Sequence, residues 1–168
     1  MREQTLAIIA LGANLENARQ NVLRAIGRLE QFSLTPLLKS SLWQSVPVDC
    51  PPDSPMFVNA VVGLTPRKDE TPESLLRKLQ QLEREFGRRP KQVHNEPRPL
   101  DLDLIAFGNQ TRNARELILP HPRAHTRPFV LEPLNEICSD LILPGQSKTV
   151  RELLDQLSAP AGVTTKLI

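Results

Sequence analysis

The chain of 168 residues has no tyrosine, one tryptophan and five phenylalanines, so aromatic surface is scarce and its placement informative. Only seven glycines occur, scattered at 12, 27, 63, 87, 108, 145 and 162. Neither G-x-x-x-x-G-K-[ST] nor G-x-G-x-x-G can be built from them. A nucleoside triphosphate bound here would need side chains and metal, not a backbone nest. The protein-kinase motif set is missing, and so is any serine or cysteine nucleophile motif. Two cysteines, Cys50 and Cys138, make neither a disulfide framework nor a four-thiolate zinc site. Both are expected to be free thiols in a reducing compartment. Charge is nearly balanced, 21 basic residues against 19 acidic. That excludes a polybasic partner-binder and makes any phosphate site a matter of local clustering. No apolar run reaches membrane-spanning length. The run Leu6-Ala7-Ile8-Ile9-Ala10-Leu11 passes straight into Gly12-Ala13-Asn14, without a cleavage site. A cytoplasmic protein with no membrane partner is expected.

Proline, by contrast, is abundant: sixteen residues, where about 5% of a chain is usual. Pro47, Pro51, Pro52 and Pro55 form one cluster, Pro90, Pro97 and Pro99 a second, and Pro120, Pro122, Pro128 and Pro133 a third. Proline is poorly tolerated in helix interiors and central strands, so these segments are expected to be loops or element starts. Between them the periodicity alternates. Residues 5–11 read as a buried strand. Val22, Ile26 and Leu29 fall at helical spacing within 17–32, with Asn17 as N-cap. Residues 35–45 read as an irregular strand and 57–64 as another. Thr71-Pro72 starts a helix whose stripe is Leu75, Leu79, Leu82 and Phe86, ended by Gly87. Residues 100–107 form a strand. The order β-α-β-β-α-β is that of a ferredoxin-like fold. A strand near 115–119, a helix from about Pro128 and a terminal helix opened by a Thr149–Glu152 capping box extend it. The expectation is an α+β chain forming one domain over 1–168 with a C-terminal extension.

Three segments carry chemistry. In Leu100-Asp101-Leu102-Asp103-Leu104, alternate residues share a strand face. The leucines bury one side, and Asp101 and Asp103 stand together on the other. Two such carboxylates repel unless neutralised, and a hard cation such as Mg²⁺ suits them; a merely solvated strand face is the plainer alternative. The segment from Arg88 to Pro99 holds Arg88, Arg89, Lys91 and Arg98 against one acid, Glu96. A solvated linker has that composition, but so does a basic lid over a metal-bound polyphosphate. In His121-Pro122-Arg123-Ala124-His125-Thr126-Arg127-Pro128-Phe129, zinc binding is disfavoured by the arginines and by the lack of a third ligand. A surface turn or a phosphate-binding loop leading into a helix remains. Phe57 and Phe129 flank proline-rich loops, where phenyl faces could sandwich a flat heterocycle; core packing is the plainer reading of either ring taken singly. Asn59 shares the strand face of Phe57, and its amide can both donate and accept.

These segments resemble the 6-hydroxymethyl-7,8-dihydropterin pyrophosphokinase family. Leu11-Gly12-Ala13-Asn14-Leu15 is similar to its opening G-S-N-L, with alanine for serine, and Pro55-Met56-Phe57-Val58-Asn59-Ala60 to its P-x-[YF]-[LV]-N-A strand. Glu83 through Gly87-Arg88 resembles its E-x-x-x-G-R helix end, Pro97-Arg98-Pro99-Leu100-Asp101-Leu102-Asp103 its P-R-x-[LI]-D-[LI]-D signature, and His121 to Phe129 its H-[PY]-x4-R-x-F segment. The resemblance implies an α/β/α ferredoxin-like domain that moves pyrophosphate from ATP to the hydroxymethyl group of the pterin, releasing AMP. It implies two Mg²⁺ ions on Asp101 and Asp103, and a pterin held by Asn59 between Phe57 and Phe129. Arg88 and Arg98 become mobile-loop cations, and His121, Arg127 and Arg98 contact ATP. The partners implied are these small molecules alone, on a monomer, without nucleic acid. His94-Asn95-Glu96 departs from the arginine, tryptophan and glycine common there. Two rivals stand beside this reading: a pterin-binding paralogue without turnover, and a ferredoxin-like RNA-binding module, whose phosphate backbone Asp101 and Asp103 would repel.

Overall fold

Five apolar residues in a row make a strand only if both of its faces are covered, and the fold meets that condition for the first element. The computed structural model describes residues 5–15, 17–46, 55–87, 99–157 and 164–167. β1 (Ala7–Ala13) lies inside the sheet, between β4 (Phe57–Leu64) and β5 (Asp101–Phe107), antiparallel to both. β2 (Leu38–Lys39) and β3 (Trp43–Ser45) both pair with β4, and β8 (Thr164–Lys166) adds to the outer edge of β3. The path β5-β1-β4-β3-β8 begins with the ferredoxin-like order expected from the alternating elements. A two-stranded ribbon, β6 (Arg112–Asn113) and β7 (Ile118–Leu119), stands apart.

α1 (Ala18–Leu29) and α2 (Pro72–Glu85) cover one face. Their inward stripes, Val22-Ala25-Ile26-Leu29 and Leu75-Leu79-Leu82, pack on Ala7, Ile9, Leu11, Ala60, Val62, Leu102 and Leu104. α3 (Pro128–Cys138) and α4 (Val150–Gln156) cover the other, where Ile8, Val61 and Ile105 meet Val130, Leu131, Leu134 and Val150. Each buried valine, leucine or isoleucine among them contributes about 1.5–3 kcal/mol relative to exposure, and each alanine less. α2 and α4 open with reciprocal capping boxes, Thr71 with Ser74 and Thr149 with Glu152.

Four expectations change. Asn17 precedes α1 but sits in the left-handed region at φ 66 and makes no side-chain cap; its carbonyl accepts from Asn21 N instead. An Asx cap needs extended backbone at that position. Pro133 is neither in a loop nor at an element start: it is buried inside α3. Its ring is apolar, and the core face of α3 gains that surface although the turn loses one amide donor. The strand read over 35–45 is two short strands separated by residues 40–42, where the Ser40 hydroxyl accepts from Val61 N and the Ser41 hydroxyl donates to Glu136. The strand read near 115–119 contracts to Ile118–Leu119.

α3 is tied to the far edge of the sheet by one carboxylate. Glu136 accepts from Ser41 N at 3.1 Å, Ser41 Oγ at 2.8 Å and Trp43 Nε1 at 2.6 Å, and lies 3.3 Å from Lys166 Nζ on β8. Burial pushes the Glu136 carboxyl up, but these donors together hold it below its ordinary value. Cys138 is a free, half-buried thiol, and burial raises its pKa; Cys50 lies outside the described residues. Among the described residues no helix is long and apolar enough to cross a membrane.

Candidate active site

The register across three strands assembles the site. Gly12 pairs with Asp101 on one side and Asn59 on the other, and Asn59 pairs with Trp43. Strand alternation puts Phe57, Asn59, Gly12, Ala10, Asp101 and Asp103 on the α3/α4 side of the sheet. Further along this face, Ile8, Val61 and Ile105 are covered by α3 and α4. The polar row therefore lies beyond the end of the apolar pack.

Gly12 keeps the middle of the row low. A Cβ there would stand 3.5 Å from Asn59 Oδ1 and 3.8 Å from a ring carbon of Phe57. Asn59 is only 4% exposed. Its Nδ2 donates to Ser45 Oγ at 2.7 Å, which fixes the amide orientation. Asp101 and Asp103 are partly exposed, unlike Leu100, Leu102 and Leu104 on the opposite face, which are buried.

The segment from His121 to Phe129 comes to the same place. His121 N donates to Ile105 O at 2.8 Å, so this segment is docked along β5. His121 Nδ1 accepts from Arg123 N at 3.2 Å, which leaves Nε2 to carry the proton of the neutral ring. Burial, with the Arg127 and Arg123 guanidinium groups, pushes the His121 pKa down to about 4, and the Asp101 carboxylate opposes that shift. Burial and Arg123 also lower the Arg127 pKa, while Asp103 and Asp101 act to raise it. Arg127 thus stands in the field of both carboxylates. It remains charged at any ordinary pH. Its guanidinium lies 5.3 Å from the centroid of the Phe129 ring, at the start of α3.

Seven of the nine residues singled out from sequence are described, and they converge on one end of one sheet face: Phe57, Asn59, Asp101, Asp103, His121, Arg127 and Phe129. Arg88 and Arg98 lie outside the described residues, as do residues 47–54 of the first proline-rich loop. Among the described residues no three His, Cys, Asp or Glu side chains cluster as a metal cage. The donor set is two carboxylates on one face. Such an all-oxygen pair suits a hard dication whose other ligands are phosphate oxygens and water. A cleft of about 470 Å³ lined by Arg19, Leu23, Lys39 and Leu167 is on the opposite, α1-covered side of the sheet, away from this chemistry.

Three residues near the site had no role in the sequence reading. Ser45 orients Asn59. Asn21 Nδ2 donates to Pro99 O at 3.1 Å. Glu83, 8% exposed, accepts from Leu102 N at 2.9 Å. Only Glu83 leaves a trace in the sequence: it falls four residues after Leu79, on the buried stripe of α2, where a carboxylate is out of place.

Comparison with known proteins points one way. A family profile described as 7,8-dihydro-6-hydroxymethylpterin-pyrophosphokinase matches residues 8–139. The 2-amino-4-hydroxy-6-hydroxymethyldihydropteridine pyrophosphokinase of Haemophilus influenzae is 39% identical over 153 residues, covering 90% of this chain and 92% of the relative. The protein of the same name from Pseudomonas aeruginosa is 39% identical over 137 residues, covering 81% and 82%. A folic acid synthesis protein of Pneumocystis carinii is 36% identical over 149 residues, but the chain spans only 20% of its length. Among solved structures, a wild-type HPPK-DHPS of Plasmodium falciparum with pteroate superposes with a TM-score of 0.71 at 14% identity, over 93% of this chain and 45% of that one. At that identity the likeness concerns the fold.

Proposed function

The chain belongs to the 7,8-dihydro-6-hydroxymethylpterin pyrophosphokinase family, and from that premise we propose how its residues divide the work. The protein is an ATP-dependent diphosphotransferase of folate synthesis. It moves the pyrophosphoryl group of ATP onto the hydroxymethyl oxygen of 6-hydroxymethyl-7,8-dihydropterin and releases AMP.

In our reading Asp101 and Asp103 would hold Mg²⁺, two ions, for the triphosphate. Bound there, the metal supplies charge neutralisation on the phosphates and a lowered proton affinity at the attacking hydroxyl. The protein's own part is positioning. The new bond joins the hydroxymethyl oxygen to the β-phosphorus, the bond from that phosphorus to the oxygen that leaves with AMP breaks, and the hydroxyl proton passes to solvent water. Such transfer needs in-line placement and charge stabilisation more than covalent help. Asn59, its amide fixed by Ser45, reads the edge of the pterin. Phe57 and Phe129 take its two faces. His121 offers its Nε2–H and Arg127 its guanidinium to phosphate oxygens, joined by Arg88 and Arg98 from the 88–98 segment. No residue is assigned as a general base. The unit is one domain over 1–168, acting as a monomer in the cytoplasm on small molecules alone, without nucleic acid.

The observation that carries this reading is the cross-strand row of Asp101, Gly12 and Asn59. The Asn59 amide and the Asp101 carboxylate stand on either side of Gly12, with β1 between them and no side chain in the way, which supports a pterin read on one side and a metal held on the other. The test is AMP release from ATP and hydroxymethyldihydropterin by the wild type, Asp101→Ala and Asp103→Ala. Full turnover in both variants would overturn the assignment.

A further inference from the structure

β5 is the end strand of the sheet path, so among the described residues alternate amides and carbonyls on its rim have no strand to pair with. Two side chains from the helices behind it fill that role at the one place where it matters. Asn21 of α1 donates from Nδ2 to Pro99 O at 3.1 Å, and Glu83 of α2 accepts from Leu102 N at 2.9 Å. Between them lie Leu100 and Asp101, and Leu102 is the residue separating the two aspartates. Glu83 is 8% exposed and sits beside Leu79 and Leu82 on the core stripe. A buried carboxylate carries a desolvation penalty, and an apolar residue would pack that stripe better. A carboxylate in this place has to be explained by what it binds.

We propose that Glu83 and Asn21 are positioning residues: they pin the start of β5 so that the Asp101 and Asp103 carboxylates present a fixed spacing to a metal–nucleotide ligand. The proposal rests on the reading of Asp101 and Asp103 as the metal-binding pair. Groups behind metal ligands commonly set affinity in this way, and their loss costs about 10–100-fold. Both contacts are made to backbone, so the side chains of the pair keep their chemistry while their footing changes.

The test measures Mn²⁺ binding directly, by electron paramagnetic resonance titration in the presence of a non-hydrolysable ATP analogue. Wild type, Glu83→Ala, Glu83→Gln, Asn21→Leu and Asp101→Ala are compared, each checked for a cooperative thermal transition. Glu83→Ala is expected to weaken Mn²⁺ binding by about tenfold and to lower kcat, with KM for the pterin unchanged. Asn21→Leu should shift both in the same direction by less. Glu83→Gln keeps an oxygen acceptor for Leu102 N and should restore most of the affinity; it also remains informative should Glu83→Ala fail to fold. A folded Glu83→Gln that binds Mn²⁺ at wild-type strength while Glu83→Ala does not supports the proposal. Unchanged binding in Glu83→Ala, or a folded Glu83→Gln as weak as Glu83→Ala, overturns it. Asp101→Ala separates the two levels: if it too binds Mn²⁺ normally, the metal-pair reading falls first, and this inference with it.

Discussion

The sheet face under α1 and α2 and the face under α3 and α4 are made by the same strands, yet they end differently. On the first, apolar residues run the full length of β1, from Ala7 through Ile9 and Leu11 to Ala13, and two helices cover them. On the second, Ile8, Val61 and Ile105 are covered, after which the row passes to Ala10 and Asp103, then to Gly12, Asn59 and Asp101. A strand of period two can therefore be structural on one side and chemical on the other, residue by residue. Leu102 is buried between Asp101 and Asp103 in sequence but faces the opposite layer. Stability and activity are assigned to separate faces, and substitutions should separate them.

The largest effect is expected from Asp101→Ala or Asp103→Ala. Turnover to AMP should fall by about a hundredfold to a thousandfold, the scale of losing a preorganised electrostatic group, while the thermal midpoint stays within a few degrees. Leu79→Ala, on the other face, should do the reverse. Leu79 is fully buried, so about 2–5 kcal/mol of stability should be lost, with kcat and KM near wild type below the melting range; a large kcat defect in folded protein would break the comparison. Asn59→Ala should raise KM for the pterin by about tenfold, as one or two hydrogen bonds are worth, with KM for ATP unaffected. Its buried partner Ser45 would lose its amide as well, so a modest loss of midpoint accompanies the change. The smallest effect concerns His121. Burial and the neighbouring guanidinium groups push its pKa in the folded protein down to about 4, below the ordinary imidazole value of 6.5. Between those values the unfolded chain binds more protons than the folded one, so this group's contribution to stability is complete above the upper value and is lost as pH falls toward the lower. NMR titration of the ring should give an apo value near 4. A non-hydrolysable ATP analogue should move that value upward, since phosphate favours the imidazolium.

Much of this arrangement could be read from residues alone, and the rest fails for definable reasons. The strand over 57–64 and the helix opening at Thr71-Pro72 appear where their periodicity and capping put them. The aspartate pair follows from spacing of two on a strand. What spacing cannot supply is register. The row that joins Asp101, Gly12 and Asn59 depends on pairings between residues far apart in the chain, and Ser45 enters only because β3 lies beside β4. β8, Thr164-Thr165-Lys166, has no apolar pattern and exists by adding to the rim of β3. Pro133 misleads a rule about helix interiors because α3 gains apolar contact there. Arg88 and Arg98 rest on the family resemblance and lie outside the described residues.

The bond from Trp43 Nε1 to Glu136 has a practical consequence. This indole is the chain's sole tryptophan, so ultraviolet emission comes from one known spot. That spot is the seam where α3 meets β3, two residues before the serine that steadies Asn59. Excitation at the red edge of its absorption gives a label-free optical gauge of whether that seam stays shut while substrates come and go, and acid should quench the signal only after the Glu136 carboxylate, held below its ordinary range, takes up a proton.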